Sequence, residues 1–238
     1  MKIIFLNCWY AKAGKIFFDF IEKNSSSTDI FCLAEIYLKL FPKLKRILPN
    51  FKGFYEKSMF DSVMGFTYGQ ATFFKEKFDT QNLRRINIYR QVYNDMGYAL
   101  PYKLRVHGKT LYVTNVHGKV RPGHKLDTPV RLRQSKLILD FLKDKVGSKI
   151  IGGDFNLLPE TRSVEMFEKA GYRNLIKEFG IKNTRNKFAW NTLKKSEEKQ
   201  YFADYVFVSP DVKVNTFEVP NIEISDHLPL ILDFDIQT

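Results

Sequence analysis

The sequence predicts an α/β fold in which two packed sheets carry helices on their outer faces. Three observations lead there. The chain opens strand, helix, strand; its middle is a series of short segments rich in Val, Ile, Tyr and Phe; and an amphipathic helix then leads into a second set of apolar strands. Runs of strands interspersed with a few helices fit sheets that bury one face on each other and cover the other with helices.

Each element has a local reason. Residues 2–7 are rich in β-formers. Residues 14–23 place Ile16, Phe17, Phe20 and Ile21 at helical spacing, and 29–35 is a short apolar run. Residues 38–48 read as a helix that stops at Pro49. Strands are expected around 52–58, 64–75, 83–93, 98–106 and 110–117, separated by Gly, Asn and His-Gly-Lys turns as in antiparallel meanders. Thr128 and Pro129 open a helix that runs to about residue 145, since Thr is a good N-cap and Pro fits the first helical turn. A buried-type strand at 149–153, a helix at 162–170 and strands at 203–208, 212–219 and 229–236 complete the chain. Ser25-Ser26-Ser27 is a loop between a helix and a strand, and neither a repeat nor a low-complexity linker divides the chain. One domain over residues 1–238 is expected.

Composition narrows the class. With 238 residues, 44% hydrophobic and 27% charged, the chain can bury a layered core and is neither collagen-like nor disordered. Cys8 and Cys32 lie in apolar runs and read as small buried hydrophobes of a reducing compartment. No segment approaches the roughly 20 apolar residues of a membrane span. The first ten residues lack a signal-peptide cleavage region and read as a strand, so the expected location is cytoplasmic. Lys and Arg number 38 against 26 Asp and Glu, a net charge of +12 that suits a polyanionic partner such as nucleic acid. The basic residues are spread out (Lys43, Lys45 and Arg46; Arg84 and Arg85; Lys194 and Lys195), so charge alone favours that partner only modestly.

The chemistry gathers at strand ends. In 150–156 an apolar strand runs into Gly152 and Gly153 and then presents Asp154 and Asn156. Side chains two positions apart on an extended chain share a side, and the glycines allow close backbone approach; an Asp-Asn turn explains the stretch equally well. Ser225-Asp226-His227 precedes another apolar strand and offers a metal ligand beside a titratable imidazole, or simply a strand-entry turn. Asp204 is a lone carboxylate in an apolar strand, costly unless paired, and a histidine would pair it. Glu35, Asn7 and His117 each end an apolar run as well. Six such ends converging on one cleft is a common way to build an active site.

These motifs in this order (LNCW at the start, LAE ending at Glu35, TNVHG, GGDFN, FADYVFV and SDHLPL) resemble the endonuclease/exonuclease/phosphatase superfamily of DNase I-like metal-dependent phosphoesterases, essentially from end to end. The resemblance implies a four-layer α/β/β/α sandwich of two mostly antiparallel sheets. It implies that Glu35 binds Mg²⁺ (or Mn²⁺), helped by Asn7 and Asp226. Asp154 and Asn156 would position or activate the attacking water and hold the phosphate, and His227, oriented by Asp204, would contact the phosphate. His117 matches a histidine of the DNase I-like and sphingomyelinase-like members. Two departures matter. Ala34 stands where many relatives have Gln before the metal-binding Glu. TNVHG replaces a Tyr-containing, Pro-Asn element of abasic-site endonucleases, which argues against abasic-site cleavage. The absence of an obvious membrane-binding insertion argues against a secreted lipid hydrolase.

Outside the motifs, His107 and His124 sit in turn-like contexts. Arg131 and Arg133 read as a basic helix face, with phosphate contact left open for both and Arg131 the candidate substrate-binding residue. Thr184, Arg185 and Trp190 fall in a polar stretch that would form a substrate-facing loop, Arg185 pairing with phosphate and Trp190 stacking on a base, or Trp190 merely anchoring a strand. The expected function is a divalent-metal-dependent phosphodiester hydrolase acting on nucleic acid by in-line attack of water. The partner is nucleic acid as substrate, with no protein partner evident and a monomer expected. The alternatives are a phosphomonoesterase or lipid phosphodiesterase on the same site and, from another class, a non-catalytic nucleic-acid-binding module.

Overall fold

The computed structural model describes residues 1–61, 65–88, 97–191 and 199–236. The chain runs β1 (Lys2–Asn7), α1 (Lys15–Ser25), β2 (Ile30–Tyr37), α2 (Leu40–Ile47), β3 (Phe51–Asp61), β4 (Phe66–Lys75), β5 (Asp79–Asn82) and β6 (Ile86–Asn87). It continues through β7 (Tyr98–Val106), β8 (Lys109–His117), α3 (Pro129–Lys143), β9 (Ser148–Asp154), α4 (Arg162–Lys169), β10 (Arg173–Asn174), α5 (Leu175–Glu178) and α6 (Lys187–Trp190). It closes with β11 (Asp204–Val208), β12 (Val212–Glu218) and β13 (Leu230–Ile236).

The strands form two sheets, as expected. One has the order β12-β13-β1-β2-β4-β3; the other has β10-β11-β9-β8-β7-β5, with β6 also on β7. Each is mostly antiparallel with one parallel pair, β1 on β2 and β8 on β9. Period-2 alternation sorts the side chains. Ile3, Phe5, Cys32 and Phe74 of the first sheet meet Tyr102, Val113, Ile151 and Phe207 of the second in the central core. The alternate residues Ile4, Leu6, Phe31 and Leu33 turn outward onto Phe17 and Ile21 of α1 and Leu40 and Leu44 of α2. Cys8 and Cys32 are free and buried.

Differences from the expected elements fall where periodicity has too few residues to register. Of the strand expected over 83–93 only the two-residue β6 is seen, β5 before it was not expected, and residues 89–93 lie outside the described residues, as do Lys194 and Lys195. The two-residue β10 and the single-turn α5 and α6 are held by tertiary contact and carry no pattern of their own.

Strand register delivers the polar ends to one edge. β8 and β9 pair His117 with Asp154, and β9 and β11 pair Asp154 with Asp204. Asn7 pairs with Ala34 on β2, and the next residue, Glu35, is an extra residue in the β2–β4 ladder, whose register shifts between Ala34 and Ile36. Glu35 takes a left-handed backbone there, φ 55°. Such a bulge re-aims one side chain out of the alternation.

Two adjacent glycines make room for this edge. A Cβ at Gly152 would stand 2.7 Å from the Phe5 ring of the opposite sheet, and one at Gly153, where φ is 125°, would collide with the Val116 carbonyl. Gly153→Ala therefore combines backbone strain with overpacking and should lower the unfolding free energy by about 2–4 kcal/mol. Urea denaturation measures it; an unchanged midpoint would contradict the packing described.

Candidate active site

The site begins with a histidine held by a carboxylate. Asp204, first residue of β11, presents both oxygens to His227 Nδ1 at 3.0 and 2.8 Å. Thr184 secures that carboxylate: its hydroxyl donates to Asp204 Oδ2 at 2.9 Å and accepts from the backbone N–H of Ala203 and Asp204. The hydroxyl of Ser225 donates to the Asn7 carbonyl at 2.7 Å, tying the segment before β13 to the end of β1. Burial pulls the His227 pKa down, but the carboxylates of Asp204, Asp226 and Asp154 outweigh it and raise it to about 9. The imidazole is thus a cation at neutral pH with Nε2 turned inward, 3.7 Å from Asp154 Oδ2 and 4.0 Å from Asp226 Oδ2.

Carboxylates crowd the other side. Asn7 donates through Nδ2 to Glu35 Oε1 at 3.1 Å and to Asp154 Oδ2 at 3.0 Å, while its oxygen accepts from the Trp9 N–H. In this arrangement the amide ties two carboxylates together and keeps one lone pair of its oxygen in reserve. Burial, and then the charge of Asp226, push Glu35 up to about 7. His117 is fully buried with Nε2 3.8 Å from both Glu35 Oε1 and Asp154 Oδ2, and neither ring nitrogen has a hydrogen-bond partner. Burial lowers its pKa to about 4, so it is neutral.

Asp154 is buried but stays ionised, because the charges of His227 and Lys125 and the Asn7 hydrogen bond override the desolvation that would raise it. Its Oδ1 accepts the Asn156 N–H at 2.9 Å, which leaves Oδ2 facing the other groups. Asn156, with φ 54°, accepts Lys125 Nζ on Oδ1 at 2.5 Å, and its Nδ2 is buried without a partner. Lys125 was not singled out by the sequence. It sits in a Pro-Gly-His-Lys context that reads as a solvated turn, correct for the neighbouring exposed His124 but not for Lys125, whose ammonium is buried and lowered to about 8.

Arg131 corrects an expectation in an instructive way. It neither lies on an exposed face nor is free to meet phosphate: the side chain is fully buried and donates to the carbonyls of Lys119, Val120, Pro122 and Leu126. Gln134, one turn on, accepts the Lys119 N–H and donates to the Phe155 carbonyl. α3 thus ties down the strap at 119–126 and the loop after β9 together. Arg185 does reach the site. It pairs with Asp226 Oδ2 at 3.3 Å and forms a backbone bridge with His227. Trp190 packs on Tyr201 with Lys199 over its ring, and none of these contacts is to the carboxylate group.

The structure therefore brings Asn7, Glu35, His117, Asp154, Asn156, Asp204, Asp226 and His227 together, with Arg185 at the rim. Among the described residues, Asp154, Asp204 and His227 also form a group whose ligand atoms lie within 4.8 Å of one another. Asp204, however, has both oxygens committed to His227, so Glu35, Asp154 and Asp226 are the better hard-cation donors. A carboxyl raised to about 7 by burial and by the charge of Asp226 marks a place with too little positive charge, which a divalent cation would supply.

The model of the Endonuclease/Exonuclease/phosphatase family matches residues 6–227. Among solved structures, an endonuclease/exonuclease/phosphatase from Bacteroides vulgatus superposes with a TM-score of 0.75 at 18% identity, over 99% of this chain and 98% of that one. The catalytic domain of human Nocturnin with bound sulfate gives 0.74 at 19% identity, covering 100% and 94%. A mannosyl-6-phosphatase from Bacteroides thetaiotaomicron gives 0.73 at 18% identity, covering 99% and 100%. At these identities the likeness shows the fold. No curated protein matches the sequence.

The histidine pair makes a pH prediction. His227 has a higher pKa folded than its ordinary value of about 6.5, so its contribution to stability is whole below that pH and fades as pH rises toward 9. Long-range ¹H–¹⁵N NMR of the metal-free protein should find His227 as imidazolium at pH 7.5 and His117 neutral, and Asp204→Asn should bring His227 down. A neutral His227 at pH 7.5 in the parent protein would contradict this electrostatic picture.

Proposed function

Since the chain belongs to the endonuclease/exonuclease/phosphatase family, whose members hydrolyse phosphoester bonds, we propose that it is a divalent-metal-dependent phosphodiesterase acting on nucleic acid. The observation that carries the reading is the cationic His227 facing the ionised Asp154 across a space bordered by Glu35 and Asp226. The net charge of +12 supports an anionic polymer as substrate.

In this reading Glu35 and Asp226, with Asn7 setting the carboxylates, hold Mg²⁺ or Mn²⁺. Once bound, the cation offsets charge on the phosphoryl oxygens. Asp154 orients a water for in-line attack through Oδ2. Its low pKa makes it a weak base in the ground state, so it takes the proton only as the new P–O bond forms and the water becomes acidic. His227, kept upright and charged by Asp204, donates to a phosphoryl oxygen, and the buried Nδ2 of Asn156 is a second donor. Arg185, at the rim, meets the flanking phosphate.

A second reading changes the substrate and keeps the site: a phosphomonoester on a sugar or inositol. The likeness to a mannosyl-6-phosphatase favours it. One panel separates the two: single-stranded DNA and RNA, plasmid DNA, bis(4-nitrophenyl) phosphate, 4-nitrophenyl phosphate, mannose 6-phosphate, inositol phosphates and sphingomyelin, each with Mg²⁺, with Mn²⁺ and with EDTA. The phosphodiesters should be cleaved with either metal, EDTA should abolish it, and Asp154→Ala should cost at least about 1,000-fold in kcat. Turnover of monoesters alone would establish the second reading. Tight nucleic-acid binding without metal-dependent turnover would overturn both.

A further inference from the structure

Lys125 is an expensive residue to bury. An ammonium removed from water needs compensation, and here two arginines, Arg185 and Arg131, oppose its charge while Asp154 and Asp204 favour it. The chain nonetheless invests in its position. The strap that carries it is tied by Arg131 to four carbonyls and by Gln134 to the Lys119 N–H, and the Lys125 carbonyl accepts the Leu158 N–H at 2.9 Å. Lys125 itself has a left-handed backbone, φ 55°.

What the ammonium touches explains the investment. Its hydrogen bond goes to Asn156 Oδ1 at 2.5 Å. An ammonium only donates, so it decides which end of the neighbouring carboxamide faces it: the oxygen must point to Lys125 and the NH₂ must point away. That NH₂ is buried and has no protein partner, while the Asn156 backbone N–H is already committed to Asp154 and to the Ala203 carbonyl. A buried donor without an acceptor is rare, and functional sites are where such groups are retained. We propose that Lys125 is a positioning residue that holds the Asn156 carboxamide with its NH₂ presented to the scissile phosphate. The inference rests on the phosphoesterase reading for the identity of the acceptor, but the Lys125–Asn156 coupling stands apart from it.

A double-mutant cycle tests it, with bis(4-nitrophenyl) phosphate and saturating Mg²⁺ as the probe. Lys125→Met should lower kcat by about 10- to 100-fold with KM changed less than about 3-fold, the loss expected when a transition-state donor is misplaced. Asn156→Ala should lose at least as much, and the double variant should be no slower than Asn156→Ala. Lys125→Arg, which restores a donor, should recover part of the rate. In parallel, the Asn156 side-chain NH₂ signal, identified by its absence in Asn156→Asp, should move in Lys125→Met and largely return in Lys125→Arg. Additive losses in the cycle would mean that Lys125 acts on substrate directly and would overturn the proposal. An unmoved Asn156 signal would overturn it whatever the activity. A wild-type protein with no turnover on the whole panel would defeat the phosphoesterase reading, and the NMR arm would still decide the Lys125–Asn156 coupling.

Discussion

Carboxylates buried or half-buried side by side repel one another, and each also loses hydration; the fold around Glu35, Asp154, Asp204 and Asp226 is arranged to make that tolerable. Asp204 is answered by His227 and Thr184, Asp154 by Asn7, Lys125 and His227, and Asp226 by Arg185. Glu35 is left short, and burial holds Asp204 above its ordinary value as well. Glu35 has an Asn7 donor but no cationic neighbour strong enough to offset burial and Asp226, so its pKa climbs to about 7. The centre is electrostatically incomplete at this corner, and a divalent cation is the simplest group that would complete it.

The two sheets share the work of building the centre. The first supplies Asn7 and the bulged Glu35; the second supplies His117, Asp154 and Asp204 in register across three neighbouring strands. Gly152 lets the sheets approach through Phe5, and Gly153 lets β9 turn into the loop that carries Asn156. Asp226 and His227 arrive on the segment before β13, anchored to β1 by Ser225. The core therefore does more than provide stability, because its packing distance determines whether groups from different sheets lie within hydrogen-bond reach.

Strands and principal site residues were legible because each lies in a local pattern: an apolar run with a polar group at or next to one of its ends. Glu35, Asp154, Asp204 and His227 all follow that rule. Lys125 and Thr184 do not, since their roles depend on where a loop is held rather than on what surrounds them in sequence. The signal for Lys125 was indirect and lay in Arg131, whose neighbours make it look like part of a basic face. Helical spacing does place Arg131 in line with Ser135, Ile138 and Leu142, all of them buried, and an arginine on that buried stripe is the clue that a loop must be folded over it. Asn7 shows a further limit: the family resemblance implied a role beside a metal, and only the geometry reveals that its amide nitrogen ties Glu35 to Asp154.

A divalent cation would complete the charge at Glu35. Titration calorimetry of Mn²⁺ into the metal-free protein tests it most directly, run at pH 6 and pH 8 in buffers of different ionisation enthalpy. With Glu35 raised to about 7, it is mostly protonated at pH 6 and ionised at pH 8. Binding should therefore be tighter at pH 8, should release close to one proton at pH 6, and should be lost or weakened at least about 10-fold in Glu35→Gln. Binding of equal strength in Glu35→Gln, or none in the parent protein at either pH, would contradict the account.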